Sequence, residues 1–252
     1  MKIFAIADPH LSQATPGKAM DVFGEEWRDH PQRIEERWRA RVAPDDLVLV
    51  AGDISWAMRL EQARPDLELL AALPGRKVLV RGNHDYWWSS ATKVRRALPA
   101  GMLAVHDDAI LVDGVAVAGA RLWDDLEIRY GQLRLRRPRG ALASNFQLMD
   151  VDSAEQIFQR ELGRLQRALG RLDPAATLRV ALVHFPPLAP DLAPSRASAL
   201  LEAARVDHCV FGHLHGLDPV RVNPLYGERS GVRYWLTACD YLDFDPVEIA
   251  EL

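Results

Sequence analysis

Three polar residues that could hold or orient a metal ion follow a short apolar run about a third of the way along the chain. Residues 78–80 are Val, Leu and Val, and such a β-branched run predicts a buried strand. After Gly82, whose missing Cβ lets the backbone turn, come Asn83, His84 and Asp85. Asn83 offers a carbonyl oxygen, His84 an imidazole, and Asp85 a carboxylate to orient that imidazole. Taken alone, the pattern is only suggestive, because a single histidine in this position is more often a hydrogen-bonded loop residue.

The same arrangement recurs along the chain, so that five strand-like runs each end in Asp, His or Asn. Residues 3–7 lead to Asp8 and His10, residues 47–51 to Asp53, residues 178–183 to His184, and residues 209–211 to His213 and His215. Ligands of open α/β sheets bind outside the carboxyl ends of the strands. We therefore expect seven metal ligands to converge there: Asp8, His10, Asp53, Asn83, His184, His213 and His215.

The chemistry of this donor set favours a pair of catalytic metal ions. Seven nitrogen and oxygen donors are too many for one tetrahedral zinc site, but they suit two neighbouring cations that share one carboxylate. A set without thiolates differs from structural zinc sites, which usually rely on cysteine. Mixed imidazole and carboxylate donors suit manganese, iron, zinc or cobalt, and the order of affinities does not choose among them. The expected cofactors are thus two divalent metal ions of undetermined identity.

Individual members of the set also have ordinary interpretations. Asp53 occupies the usual position of a helix N-cap, a role that does not exclude bridging two cations. His184 is the least specific, because a single histidine at the end of a strand is common. His30, His106 and His208 fit no motif, and we assign them structural roles.

Alternating strands and helices predict an α/β protein with a largely parallel sheet and a second sheet packed on it. Asp113-Gly114 predicts a two-residue hairpin turn. The expected elements are a helix that begins near Pro31, helices over residues 59–73, 89–98 and 153–172, and strands over 103–106, 109–112, 115–119 and 233–238. We expect one domain over residues 1–252.

Two segments could cover the predicted site, residues 11–44 and 121–150. The first contains Trp27 and Arg28, which we assign neither to packing nor to a flap. The second is rich in arginine, and we favour a solvated surface over a lid that meets substrate phosphate; its arginines are Arg129, Arg134, Arg136, Arg137 and Arg139. Aromatic residues close to the motifs form either a stacking wall for a flat substrate group or internal packing; they are Trp56, Tyr86, Trp87, Trp88 and Trp123.

Composition bounds the possible partners and compartment. The chain has 252 residues, and its net charge of −4, from 31 basic and 35 acidic residues, weighs against a general nucleic-acid binder. Cys209 and Cys239 lie in apolar runs and predict buried free thiols. No leader-like N-terminus and no apolar stretch of ~20 residues is found, so we expect no membrane association and a cytoplasmic location. The oligomeric state is not indicated.

Taken together, the motifs resemble a known family signature. Asp8-x-His10, Gly52-Asp53, Gly82-Asn83-His84-Asp85, His184 and Gly212-His213-x-His215, in this order, are similar to the five blocks of the calcineurin-like metallophosphoesterases, over residues 8 to 215. The resemblance implies a two-sheet β-sandwich flanked by helices, in four αββα layers, with a dinuclear metal centre at the strand ends.

The resemblance also implies roles for individual residues. Asp8, His10 and His215 would hold one metal, Asn83, His184 and His213 the other, and Asp53 would bridge them. His84 would contact the phosphate and protonate the leaving oxygen, with Asp85 as its orienter.

The implied reaction is hydrolysis of a small-molecule phosphate ester by a metal-bound hydroxide. A diester is slightly favoured over a monoester because both His10 and His84 are present. Three alternatives stay open: a dinuclear metallohydrolase of a non-phosphate substrate such as an amide or lactam, an inactive binding scaffold on this fold, and a nuclease.

Overall fold

The structure, a computed structural model, describes residues 1–128, 151–217 and 227–252. Short 3-10 turns at Pro16–Lys18, Met20–Phe23 and Glu25–Trp27 occupy the first long connection. The strands and α-helices, in chain order, are β1 (Lys2–Ile6), α1 (His30–Arg41), β2 (Leu47–Val50), α2 (Leu60–Ala71), β3 (Arg76–Leu79), α3 (Ala91–Ala97), β4 (Met102–Ala104), β5 (Asp108–Val112), β6 (Val115–Ala120), α4 (Val151–Leu169), β7 (Leu178–Val183), α5 (Arg196–Ala203), β8 (His208–Phe211), β9 (Gly227–Arg229), β10 (Val232–Leu236) and β11 (Val247–Glu251).

The strands form two mixed sheets. The first has the order β11-β1-β2-β3-β4, in which β1 to β4 run parallel and β11 pairs antiparallel with β1. The second has the order β5-β6-β7-β8-β10-β9, with a parallel centre and an antiparallel strand at each edge. The metal-ligand motifs follow β1, β2 and β3 in one sheet and β7 and β8 in the other, so both sheets contribute to the same edge.

Three buried clusters divide the molecule into layers. Alternate residues of both sheets, such as Leu49 of β2 and Leu182 of β7, share a cluster between the sheets. The opposite face of the first sheet packs against α1, α2 and α3 through residues such as Trp38. The outer face of the second sheet packs against α4 and α5 through residues such as Leu165. The predicted two-sheet sandwich flanked by helices is therefore confirmed.

The element predictions hold best where the sequence pattern is long. The predicted helices over 59–73, 89–98 and 153–172 are present with shorter or slightly shifted bounds, and Asp113 and Gly114 both adopt positive φ, as the hairpin turn requires. The sequence analysis did not identify α5, β9 or β11. The solvated surface predicted for the arginines of residues 129–139 falls outside the described residues, as does most of the segment 121–150. Within the described ranges, no helix is both long enough and apolar enough to cross a membrane.

Candidate metal centre

The ends of five strands bring the seven predicted ligands together. Backbone hydrogen bonds tie the connecting loops to one another, since Asp8 N donates to Gly52 O at 2.9 Å and His10 N donates to Asp53 O at 3.0 Å. Within the second sheet, Gly212 N donates to His184 O at 3.1 Å, and across the two sheets His213 N donates to Asp8 Oδ2 at 2.9 Å. The strand ends thus form one connected frame, and the spatial convergence predicted from the motifs is present.

Left-handed backbone conformations aim several of these side chains. The φ angles of Asp8, His10, Asp53 and His213 are 58°, 43°, 50° and 71°. Non-glycine residues seldom adopt such angles, and the conformation persists only where surrounding contacts enforce it. Four of the seven predicted ligands therefore sit in backbone that is unfavourable for folding and useful for placing donors at one point.

Asp8, His10 and His215 form the first group of donors. Their ligand atoms lie within 4.8 Å of one another. The Nε2 atoms of His10 and His215 are 3.3 Å apart, and Asp8 Oδ1 is 3.8 Å from His215 Nε2. Asp8 is fully buried, and its Oδ1 has no hydrogen-bond partner among the described residues.

Asn83, His184 and His213 form the second group. The Asn83 Oδ1 atom lies 2.7 Å from His184 Nε2 and 3.1 Å from His213 Nδ1. His184 is fully buried, whereas His213 is partly exposed and its Nε2 lies 4.0 Å from Asp124 Oδ1. Two imidazoles and an amide oxygen therefore face a common point at this second position.

Asp53 lies between the two groups. Its Oδ2 is 3.7 Å from His10 Nε2 in the first group and 3.4 Å from His184 Nε2 in the second. Its Oδ1 accepts a hydrogen bond from the backbone N–H of His84 at 2.8 Å. The helix N-cap interpretation is wrong, because α2 begins at Leu60 and its N-cap is Arg59.

Two motif glycines leave room for carboxylates. A Cβ added at Gly82 would collide with Asp53, and one added at Gly212 would collide with Asp8. Gly82 therefore serves less to turn the backbone, as the sequence suggested, than to let Asp53 approach. The glycines of both motifs are explained by the close approach of a carboxylate to the backbone.

The second ring nitrogens of two histidines are fixed by acceptors outside the ligand set. His184 Nδ1 lies 2.8 Å from the Ala51 carbonyl oxygen, and His215 Nδ1 lies 2.9 Å from Asp240 Oδ1. Since both partners accept, each Nδ1 carries a proton and each Nε2 is left for a metal. Asp240 was missed by sequence reasoning. Its only signal was a carboxylate four residues beyond the strand Val232–Leu236, outside the recognised motifs.

The buried charges perturb one another strongly. Burial raises the pKa of Asp8 to about 7, although His215 and His184 oppose the shift. Burial also acts to raise the pKa of Asp53, but the charge of His184 and its hydrogen bond hold that pKa well below its usual range. Despite burial, Asp53 and Asp8 raise the pKa of His184 to about 9. The protein without metal thus holds protons at positions where a cation would replace them.

His84 lies beside the two groups without belonging to either. Its ring is 5.7 Å from that of His10 and 4.5 Å from that of Trp56. Burial lowers the pKa of His84, and the charge of Asp53 opposes this shift.

Asp85 does not orient His84, contrary to expectation. Its Oδ1 accepts from the backbone N–H groups of Ile54 and Ser55 and from Trp87 Nε1, and its Oδ2 accepts from Gly82 N. His84 Nδ1 has no hydrogen-bond partner among the described residues. Asp85 therefore joins the loop after β2 to the loop after β3.

The aromatic residues near the motifs divide between core and rim. Trp87 and Trp88 are each 1% exposed and pack in the core. Trp56 stacks on His10 with ring centroids 4.9 Å apart, and Tyr86, 44% exposed, meets the edge of His84 at 6.1 Å. Trp123 is partly buried and packs on Phe185 with ring centroids 4.8 Å apart, so of these five aromatic residues Trp56 and Tyr86 are the candidates for a substrate-facing wall.

The segment 11–44 reaches the centre through Trp27. The Trp27 ring is buried and lies 5.6 Å from His215 and 6.2 Å from His10. Trp38, by contrast, is a core residue whose Nε1 donates to Pro74 O. Arg28 is paired with Glu25 at the surface.

The side chains present fit a pair of divalent cations. The unpartnered Asp8 Oδ1, the closely spaced Nε2 atoms of His10 and His215, and the Asn83 oxygen facing two imidazoles are all groups that a cation would satisfy. Asp53 is placed to reach both positions.

A sequence comparison identifies a family over most of the chain. The sequence model of the calcineurin-like phosphoesterase family matches residues 1–217. The Gene 66 protein of Mycobacterium phage D29 is 34% identical over 86 residues, which cover 33% of this chain and 40% of that protein. The chain thus spans less than half the length of this curated relative.

Solved structures with similar folds share little sequence identity. The phosphopantetheinyl hydrolase PptH of Mycobacterium tuberculosis aligns with a TM-score of 0.47 and 17% identity, covering 94% of this chain and 89% of that chain. AQ665 of Aquifex aeolicus, a protein of unknown function, aligns with a TM-score of 0.46 and 15% identity, covering 98% and 94%. Because the family model matches residues 1–217, a range that includes every predicted ligand, this chain belongs to the calcineurin-like phosphoesterase family.

Proposed function

We propose that this protein hydrolyses a small-molecule phosphate ester at two divalent cations, one held by Asp8, His10 and His215 and the other by Asn83, His184 and His213. The observation that carries the proposal is the position of Asp53. Its Oδ2 lies 3.7 Å from one group and 3.4 Å from the other, so a single carboxylate could bridge both cations. A metal pair of this kind lowers the pKa of water and neutralises phosphate charge.

The chain itself prepares the centre for cations. Ala51 O and Asp240 fix the protonated Nδ1 atoms of His184 and His215, which aims both Nε2 lone pairs inward. The buried carboxylates of Asp8 and Asp53 supply negative charge that no arginine or lysine neutralises by hydrogen bonding among the described contacts. Water is the nucleophile in this scheme, and a covalent phosphoenzyme is not required.

We assign to His84 the protonation of the leaving oxygen. It is adjacent to the ligand groups, and its imidazole has no competing hydrogen bond at Nδ1 among the described residues. Its pKa is lowered by burial in the protein without substrate. A negatively charged phosphoryl group brought beside the ring would favour the imidazolium and so supply the acid.

We further propose a diester rather than a monoester as the substrate. The support for this assignment is that His10 and His84 are both present, with rings 5.7 Å apart, in a site that resembles those of the family's diesterase members. The cytoplasmic location expected from the sequence stays a prediction.

The direct test is to purify the protein, measure its bound metals, and assay a panel of phosphate monoesters and diesters with manganese, iron, zinc or cobalt added. We expect two metal equivalents per chain and hydrolysis that disappears with chelator. A folded, metal-loaded protein that hydrolyses an amide or lactam but no phosphate ester would contradict the proposal. A higher kcat/KM for monoesters than for diesters would contradict only the diester assignment.

A further inference from the structure

We propose that Asp240 is a positioning residue for one of the two cation positions: it holds His215 so that Nε2 faces Asp8 and His10. Binding of a cation at that position would then depend on Asp240, and binding at the other position would not. This inference rests on the two-cation centre of the proposed function. It states that the ligands of the two cation positions are held in place by different contacts.

Both carboxylate oxygens of Asp240 are engaged with the segment that carries His215. Oδ1 lies 2.9 Å from His215 Nδ1, and Oδ2 accepts from the Gly216 backbone N–H at 2.8 Å. The Asp240 side chain is only 7% exposed, so competition from water is small. One carboxylate thus fixes both the ring and the backbone that follows it.

The turn that carries Asp240 is joined to the strand that carries Asp8. Ala238 pairs with Ala7 in a parallel bridge, and Cys239 N donates to Ala7 O at 2.9 Å. The Cys239 thiol also donates to the carbonyl oxygen of Asp8 at 2.9 Å. Residues 238–240 therefore connect two of the three donors of the first position.

The second position has a different kind of support. The Nδ1 atom of His184 donates to a neutral acceptor, the Ala51 carbonyl oxygen. The Nε2 atom of the His213 ring lies 4.0 Å from Asp124 Oδ1, beyond hydrogen-bonding distance. A carboxylate acceptor raises the basicity of a ligand imidazole, and losing such a partner typically costs about 10–100-fold in metal affinity.

The test is a metal titration of Asp240→Asn and the wild-type protein, both stripped of metal. Calorimetry with Mn²⁺ reports the two binding steps, and Co²⁺ absorption reports the ligand geometry. We expect Asp240→Asn to weaken one step by about 10–100-fold and to alter part of the Co²⁺ spectrum, with the other step unchanged. Equal weakening of both steps, or no weakening, would overturn the inference.

A matched control is Asp46→Asn. Asp46 is also a buried carboxylate, but it accepts from the backbone N–H groups of Lys2 and Ala43, remote from the metal-ligand groups. This variant should leave both binding steps unchanged. If wild-type protein itself binds no metal, the proposed function fails, rather than the role of Asp240.

A measurement on the wild-type protein removes the dependence on how a variant folds. Long-range ¹H–¹⁵N spectra of zinc-loaded protein identify which nitrogen of each histidine carries the proton. We expect His215 protonated at Nδ1 and bound through Nε2. Protonation of His215 at Nε2 would exclude the proposed role of Asp240.

Discussion

The imidazoles around the centre differ in what their second nitrogen contacts. His184 donates to a backbone carbonyl, His215 to a carboxylate, and His84 Nδ1 has no partner among the described residues. A ring held at one nitrogen is a fixed metal ligand, whereas a ring free of such a bond can accept and release a proton during turnover. His10 Nδ1 also has no partner among the described residues, so these hydrogen bonds mark His184 and His215 as fixed ligands but do not by themselves separate His10 from the candidate acid.

The role of His84 is tested by His84→Ala. We expect the variant to keep both metals, because His84 lies outside both donor groups. Turnover of esters with poor leaving groups should fall by about 10²–10⁴-fold, since those leaving groups need a proton. Turnover of p-nitrophenyl esters should fall much less. Kinetics on the two ester types, with metal content measured in parallel, give the comparison.

His208→Ala is the control for this experiment. His208 also has an aromatic neighbour, but its Nδ1 accepts from Trp235 Nε1 and it lies at the start of β8. The activity of the His208→Ala variant should match that of the wild-type protein on both ester types. Equal losses on both ester types in His84→Ala would remove the general-acid role.

Asp53→Asn tests the bridging carboxylate. Replacing the shared anion by a neutral amide removes charge from both cation positions, so we expect metal occupancy to fall at both. Elemental analysis after dialysis measures the occupancy, and circular dichroism confirms the fold. Two full metal equivalents in the folded variant would show that Asp53 bridges nothing.

Residue types alone identified the donors but not their supports. Asp, His and Asn at strand ends are visible in the sequence because ligand chemistry restricts the choice of side chain. Asp85 was assigned wrongly, since adjacency to His84 does not reveal that its carboxylate accepts from backbone N–H groups 30 and 31 positions away. Asp240 was missed for the same reason: its contact with His215 depends on how β8 and β10 pair.

At the scale of elements, the long periodic segments were predictable and the short ones were not. Helix α4 shows its apolar stripe over 19 residues, and Phe158 and Leu165 are buried as the spacing predicts. Strand β9 has only three residues and no apolar pattern. Strand β11 carries two glutamates and sits at the edge of its sheet, where it pairs through backbone bonds with β1. Such edge pairing is set by the tertiary fold.

The close packing of the strand-end loops predicts the effect of Gly212→Ala. The added Cβ would collide with the Asp8 carboxylate and the Ala7 side chain. We expect a loss of about 1–3 kcal/mol in the free energy of unfolding and weaker metal binding, because Asp8 must move. Chemical denaturation and metal titration measure the two effects.

The same substitution at Gly163 should act in the opposite direction. Gly163 lies within α4, and a Cβ there meets Arg167 at an ordinary distance of 3.6 Å. Alanine in a helix interior is better than glycine by about 0.5–1 kcal/mol. The steric explanation for Gly212 would be refuted if Gly212→Ala were as stable as the wild-type protein and bound metal as tightly.

At the scale of the whole molecule, the centre joins the two sheets. Asp8, His10, Asp53 and Asn83 follow strands of the first sheet, while His184, His213 and His215 follow β7 and β8 of the second. The cluster between the sheets fixes their separation, with residues such as Val78 and Val180 fully buried. The sequence predicts this arrangement only in outline, because packing of one sheet on the other depends on many small contacts.

The charges of the ligand histidines also affect the stability of the folded protein without metal. Asp240 and Asp8 raise the pKa of His215 to about 9 against the effect of burial, and Asp53 and Asp8 do the same for His184. These protonated histidines stabilise the metal-free protein fully below about pH 6.5, where the unfolded chain is also protonated. That stabilisation is lost as the pH rises through about 9.

The difference in melting temperature between metal-loaded and chelator-treated protein should therefore widen from pH 6.5 to about 9. A cation must displace the proton from each Nε2, so each displaced proton weakens the apparent affinity by about tenfold for every pH unit below 9. Stronger binding to the native state raises its stability. Scanning fluorimetry with Mn²⁺ or chelator at half-unit intervals measures the difference. A constant difference over this range would mean that metal binding displaces no proton from His184 or His215.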